Sequence, residues 1–163
     1  MAESGHPIIK VSELYQAAIV VRDLERSIER YQNTLGIGPW DVIDIDSSEL
    51  PVVTYHGRPA QHKFRAALAM IGPMQLELIQ HLEGDSIFRD FLNEHGEGLH
   101  HLGHIRVDDL SSAIQTLEDA GFPCLQSLAA PGGGCAYIDM VNALGVIVEL
   151  LELPEGIPAP GRQ

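Results

Sequence analysis

At 163 residues, 45% hydrophobic and 20% charged, the chain has the make-up of an ordinary soluble globular protein and enough length for one sizeable core. A net charge of −13 excludes nucleic acid and anionic membranes as natural partners, and disfavours a highly anionic small molecule unless a local basic patch holds it. Cys124 and Cys135 form neither a CxxC pair nor a disulfide framework, and no apolar leader or membrane-spanning run is visible. The expectation is a cytoplasmic protein with two reduced thiols.

Residues 1–10 read as a loose leader interrupted by Gly5 and Pro7. Leu14 to Val21 is an apolar, β-branched run and hence a buried strand. Asp23 then sits at a helix start, with Leu24, Ile28, Tyr31 and Leu35 at helical spacing until Gly36 stops the helix. Trp40 to Ile45 alternates weakly as a strand, and residues 46–62, with Pro51, Gly57 and Pro59, read as a polar loop. Phe64 to Ile71 and Met74 to Gln80 flank Gly72-Pro73 as a hairpin, and Asp85 to His95 is a short helix or linker.

The second half repeats the first. His101 to Val107 is a strand, Asp109 a helix cap, and Leu110, Ile114 and Leu117 continue an apolar stripe that Gly121 ends. Cys124 to Ala129, Cys135 to Met140 and Val146 to Leu153 are the closing strands, and residues 154–163, rich in proline and glycine, form a mobile tail. Each half is therefore strand, helix, three strands, with the two Asp-Leu helix starts 86 positions apart, from Asp23 to Asp109. The fold class is α+β: two βαβββ modules, 12–81 and 99–153, in one domain spanning 1–153.

Each half carries polar residues inside otherwise apolar strands. The first strands give Gln16 and His101, the last strands Glu77 and Glu149. A buried carboxylate among Leu and Val costs several kcal/mol unless it is paired or binds a metal. If the modules pack about a pseudo-twofold axis, these four converge, and one nitrogen with three oxygens suits a divalent ion with positions left open for water or substrate. The alternative is that both glutamates point outward and that Gln16 is a hydrogen-bonded buried amide. Three histidines, His100, His101 and His104, crowd the second repeat. Gln16 lies seven residues before Asp23 but His101 eight before Asp109, so a β-bulge must absorb one residue between His101 and Asp109. In a regular strand His100 would then face away from His101, while the bulge could turn His104 toward the interior.

The segments YQAAIVVRDLERSIERYQNTLG, QLELIQ, GLHHLGHIRVDDL and GVIVELLEL resemble the signature segments of the vicinal oxygen chelate superfamily, over roughly residues 12–153. This glyoxalase-like resemblance implies a cupped mixed sheet around a divalent ion held by Gln16, Glu77, His101 and Glu149, usually in a homodimer. Zinc, cobalt, nickel, manganese and iron all suit that donor set. The ligand set matches glutamine-bearing glyoxalase I, but Val20, His81 and Glu97 stand where that family holds glutathione. The third-ligand segment and the Gly-Val-Ile-Val-Glu-Leu ending are more similar to methylmalonyl-CoA epimerase, although its first ligand is a histidine and its 46–62 segment is shorter.

The resemblance therefore implies a metal-dependent epimerase or isomerase that removes a proton beside a carbonyl or thioester, with a small-molecule carbonyl or acyl-CoA as substrate. Glu149 is the expected proton acceptor, with Glu77 or Glu49 returning the proton from the other face. Lys63, Arg65 and Arg106 are the candidates for CoA phosphates, and Tyr55, Phe64, Met70, Met74 and Tyr137 for the pocket wall. The alternatives are a glyoxalase-like lyase on another α-carbonyl compound and a non-catalytic resistance-type binding protein.

Overall fold

The structure, a computed structural model, describes residues 6–157, so parts of the expected leader and tail (1–5 and 158–163) lie outside the described residues. The first module is β1 (Gln16–Val20), α1 (Leu24–Leu35), β2 (Asp41–Asp46), β3 (Val52–Tyr55), β4 (Arg58–Pro59), β5 (His62–Ile71) and β6 (Met74–Gly84). A linking helix α2 (Ile87–His95) leads to β7 (Gly98–Arg106), α3 (Leu110–Asp119), β8 (Cys124–Ala130), β9 (Gly133–Met140), the single turn α4 (Val141–Leu144) and β10 (Val146–Glu152). All ten strands form one sheet in the order β2-β5-β6-β1-β7-β10-β9-β8-β3-β4. The halves meet where β1 runs antiparallel to β7, and on either side β6 and β10 run parallel to these two strands. That arrangement is the cupped mixed sheet implied by the resemblance, built from the paired modules that the repeat predicts.

The two outer helices begin alike because the sequence begins them alike. Asp23 accepts from the amide of Arg26 and Asp109 from that of Ser112, each at 2.9 Å, so a carboxylate caps each helix start. α1 buries Leu24 against Val21, Ala67 and Leu78, and α3 buries Leu110 and Leu117 against Ala136, Ile138 and Leu150. These two clusters cover the convex face. Leu35, assigned to the apolar stripe of α1, is instead 65% exposed at the end of the helix.

The third cluster fills part of the concave face. There Ala18, Val20, Phe64, Ala66, Ile79 and Tyr137 surround Ile87 and Phe88 of α2, so the linking helix plugs one end of the cup. Phe88 is fully buried and packs edge-on against Phe64, His100 and Tyr137.

Residues 46–62 are not the free loop that their prolines and glycines suggest. After one 3-10 turn (Ser47–Glu49), β3 crosses to the far module and pairs antiparallel with β8, from Val52 opposite Ala129 to Tyr55 opposite Gln126. The chain then returns through β4 to β5. Only three residue steps separate Pro59 on the last strand from His62 on the strand next to the first, a span of at most ~11 Å. The sheet is therefore curled almost into a barrel, with this segment as a strap across its edges. The sequence hid the strap because β3 is short and earns its hydrogen bonds from a partner more than 70 residues away.

Candidate active site

Strand alternation sets the site. On β1 the inward positions are Gln16, Ala18 and Val20; on β6 they include Gln75, Glu77 and Ile79, while Leu78 faces the convex cluster. On β10, Glu149 lies beside Tyr137 of β9 and points inward with Ile147, while Val148 and Leu150 point out. Gln16, Glu77 and Glu149 thus face the same interior, from three different strands.

β7 completes the set by breaking the alternation twice. Ala18 pairs with His101 but Ile19 with Leu99, so His100 is an extra residue in the ladder. On the other edge, Leu102 pairs with Val148 but Ile105 with Leu150, so Gly103 and His104 together oppose Glu149. This second bulge is the one required by the residue count, and it returns Ile105 to the convex cluster. The first bulge corrects the expectation for His100, which turns inward against Phe88, Phe91 and Tyr137 instead of away. All three histidines end on the inner side.

The four candidate donors come together and are nearly sealed: Gln16 is 1% exposed, His101 0%, Glu149 5% and Glu77 9%. His101 Nε2 lies 3.6 Å from Glu149 Oε2 and 3.7 Å from Glu77 Oε2. His104 Nε2 lies 3.4 Å from the same Glu149 oxygen. Gln16 donates from Nε2 to Gln75 Oε1 at 2.8 Å, which turns its carbonyl oxygen the other way. Gln16 Oε1, His101 Nε2 and Glu149 Oε2 are buried without a hydrogen-bond partner among the described residues. The Gly103 backbone passes so close that a Cβ there would sit 2.5 Å from Glu149 Oε2 and 2.8 Å from Gln16 Oε1.

Burial, together with the charge of Glu149, pushes the Glu77 carboxyl well above its usual range. Burial also opposes ionisation of Glu149, but the imidazoles of His101 and His104 beside it outweigh that and hold its carboxyl low. The Tyr137 hydroxyl and the Cys135 thiol border the same space and are pushed well up, first by burial and then by nearby charge. His101 Nδ1 shares one hydrogen bond, 2.8 Å, with His100 Nδ1. Burial and the neighbouring His101 pull His100 down to about 3, so it is neutral.

Among the described residues, no group of three or more His, Cys, Asp or Glu side chains is drawn in tightly enough to hold a metal as it stands. The donor chemistry nevertheless fits one. Bonds of ~2.1 Å put neighbouring ligands about 3.0–3.4 Å apart, a few tenths of an ångström inside the separations between His101, Glu77 and Glu149. Three buried donors without a partner among the described residues are what a cation would satisfy.

The other expected site residues lie elsewhere. Glu49 is exposed on the 3-10 turn and is not among the side chains that meet here. Arg65 pairs with Glu25 of α1 and with Asp44, and Lys63 with Asp46 and Glu83, so neither is turned to the cluster. Arg106 lies with Lys10 in a surface groove beside α3. Phe64 and Tyr137 belong to the buried cluster around α2, Met70 and Met74 are exposed, and Tyr55 donates to Asp90 at 2.5 Å. A separate cavity of about 710 Å³ lies by α2, where Phe91, Leu99, His100 and Ile147 wall it. Sequence reasoning missed Gln75, Tyr15 and the inward role of His100. Gln75 alone carried a signal, since it shares a strand face with Glu77 two residues on.

A family model described as Glyoxalase/Bleomycin resistance protein/Dioxygenase superfamily matches residues 15–138. The mitochondrial methylmalonyl-CoA epimerase of Mus musculus is 25% identical over 152 residues, covering 91% of this chain and 77% of the mouse protein. The uncharacterized protein YqjC of Bacillus subtilis is 34% identical over 99 residues, covering 59% of this chain and 69% of YqjC. Among solved structures, methylmalonyl-CoA epimerase from Mycobacterium tuberculosis superposes with a TM-score of 0.63 at 25% identity, covering 88% of this chain and 89% of that one.

Proposed function

We propose, for a chain that belongs to the glyoxalase/bleomycin resistance protein/dioxygenase superfamily, that it is a divalent-metal-dependent epimerase of the methylmalonyl-CoA epimerase kind. Gln16, Glu77, His101 and Glu149 would hold the ion. The observation that carries this reading is that three buried atoms, Gln16 Oε1, His101 Nε2 and Glu149 Oε2, lack a hydrogen-bond partner among the described residues, with His101 Nε2 3.6 Å from Glu149 Oε2 and both carboxamide and carboxylate oxygens against Gly103. Each orphaned group costs about 1–3 kcal/mol if left unsatisfied, and a cation removes that cost for all of them together. The epimerase names among the relatives support the reaction class.

When bound, a divalent ion supplies Lewis acidity to the carbonyl oxygen of a thioester or ketone, which makes the neighbouring C–H acidic. The rest is done by side chains. Glu149 takes the proton, its carboxylate oriented between His101 and His104. Glu77, the second carboxylate facing the same interior, returns a proton on the other side of the carbon; the exposed position of Glu49 favours Glu77 for this role. His101 is held in place from behind, because its Nδ1–H donates to His100 Nδ1 when Nε2 is free to ligate. The sealed strand interior keeps water away from the carbanionic carbon.

A second reading, a glyoxalase-like lyase on another α-carbonyl compound, is favoured by a glutamine rather than a histidine as first donor: Gln16 is held through its amide nitrogen by Gln75, which leaves its oxygen free to ligate. Both readings share the first proton transfer, so one experiment serves them. Metal-loaded protein is incubated in deuterated water with methylmalonyl-CoA or with an α-hydroxy ketone, and α-deuterium is followed by mass spectrometry. Incorporation that vanishes in Glu149→Gln is expected, and a proton shift that converts the ketone to its isomeric α-hydroxy carbonyl compound would select the glyoxalase-like reading. Absence of exchange on both, together with a ring-cleavage product from a catechol, would sink the proposal.

A further inference from the structure

The bulge opposite Glu149 gives this interior a side chain that the paired-module pattern does not supply. Gln16 on β1 and His101 on β7 are counterparts across the repeat, and Glu77 and Glu149 likewise, but the second repeat has one residue more between its first polar position and its helix cap. That residue is absorbed where Gly103 and His104 together face Glu149. In an unbroken strand His104 would lie on the convex side, since His101 and Gly103 are the inward positions. The bulge turns it inward instead.

We propose that His104 is a further protein ligand of the divalent ion, its Nε2 joining His101 Nε2, Gln16 Oε1 and the carboxylates of Glu77 and Glu149. The inference rests on the metal-site reading above and deepens it. Three observations carry it. First, the two imidazoles are placed in the same way: the Nε2 atoms of His104 and His101 lie 3.4 and 3.6 Å from the same oxygen, Glu149 Oε2. Second, each has its other nitrogen anchored outside the cluster. Nδ1 of His101 is bonded to His100 at 2.8 Å, and Nδ1 of His104 to the Tyr15 hydroxyl at 3.1 Å, with the Tyr15 ring edge-on at 5.2 Å to fix the imidazole plane. A histidine that ligates through one nitrogen almost always holds a partner with the other, which sets its tautomer and its aim. Third, Gly103 lets the strand approach so closely that the residue after it reaches the donor cluster, because a Cβ at 103 would occupy the space of Glu149 Oε2 and Gln16 Oε1.

Two imidazoles, two carboxylates and an amide oxygen would make five protein donors, a mixed nitrogen–oxygen set suited to a divalent ion. His104 would be the outermost of them, with 15% of its side chain exposed.

The test counts imidazoles on the metal. The substrate-free protein is loaded with Cu(II), and pulsed paramagnetic resonance resolves the remote nitrogen of each coordinated ring. Two imidazoles are expected in the unmodified protein and one in His104→Ala, with metal affinity in chelator competition falling at least tenfold. Ring nitrogen spectra of the unmodified, 15N-histidine protein with and without Zn(II) guard against a variant that misfolds: His101 and His104 Nε2 should both shift on loading. One coordinated imidazole, or a shift confined to His101, overturns the role of His104 and leaves the four-donor site standing. Failure to bind metal at all overturns the reading on which it rests.

Discussion

Replacing Gly103 by alanine separates the donor cluster from the fold that carries it. The added Cβ would lie 2.5 Å from Glu149 Oε2, 2.8 Å from Gln16 Oε1 and 3.2 Å from Glu149 Cβ. Taking 3.4 Å as the start of ordinary contact, the overlaps with the two oxygens are about 0.9 and 0.6 Å. Both oxygens sit at the ends of rotatable side chains, so they yield before the backbone does. Glu149 Cβ must also give by a few tenths of an ångström in a sealed interior, so the cost to folding should be about 1 kcal/mol, the low end of the range for overpacking a core. The cost to the cluster is larger, because two of its donors must leave the positions in which they converge. Displaced or unsupported ligands typically lose ten- to hundredfold in metal affinity, about 1.4–2.8 kcal/mol. Urea unfolding of the metal-free protein measures the first quantity and chelator competition the second. If Gly103→Ala binds a divalent ion as tightly as the parent, Gln16 and Glu149 are not joint ligands. If it instead loses several kcal/mol of folding stability, the strand there is packed against something stiffer than two mobile side chains.

Other changes probe the scaffold. His62 is buried with neither ring nitrogen partnered among the described residues, and burial, aided by His81, pulls it down to about 4 from 6.5. The unfolded chain therefore binds a proton near pH 6.5 that the folded chain refuses until about pH 4. Stability from this group is intact above pH 6.5 and is lost as the pH falls through that window. Between pH 7.5 and pH 5 the loss is about 2 kcal/mol, and the stability difference between those two pH values, read by urea unfolding, should shrink by that amount in His62→Leu. Phe88→Ala empties the centre of the cluster that plugs the cup, and should cost about 3–5 kcal/mol in the same assay; a loss below 1 kcal/mol would mean that α2 is only loosely seated. Tyr55→Phe removes the hydrogen bond to Asp90 that ties the strap to α2, worth about 1–2 kcal/mol, and amides of β3 should exchange about tenfold faster with deuterium. Unchanged exchange there would show that the β3–β8 ladder holds the strap alone.

Much of this was legible because the signals were local and doubled. Asp23 and Asp109 announce two helix starts by the same capping chemistry, and each is followed by leucines at helical spacing, so the repeat survives even where individual strands are ambiguous. Gln16, Glu77 and Glu149 were readable as inward because strand parity needs only the neighbouring residues. The extra residue between His101 and Asp109 was countable, and so the bulge beside Glu149 could be expected from arithmetic. The bulge at His100 could not, since it changes the pairing with β1 without altering any length between landmarks. The strap failed for a different reason: Val52 to Tyr55 is too short to declare a strand, and its partner on β8 is distant in sequence. Non-local pairing also hid the fate of Arg65, whose charge is taken by Glu25 on α1, 40 residues away, and by Asp44 on β2, 21 residues away.

Repeated halves invite exchange, in which one half of a chain completes a second copy and the second copy returns the favour. This sheet resists it. To leave its partner, the second half must peel β7 away from β1 and also release β8 from β3 at the opposite edge. The strap is tethered at both ends, by residues 47–51 and 60–61, to strands of the first half. Each half contributes two of the four donors, and both halves are stitched to each other twice within a single polypeptide. Diluting the protein until any assembly has come apart should therefore leave the cluster whole.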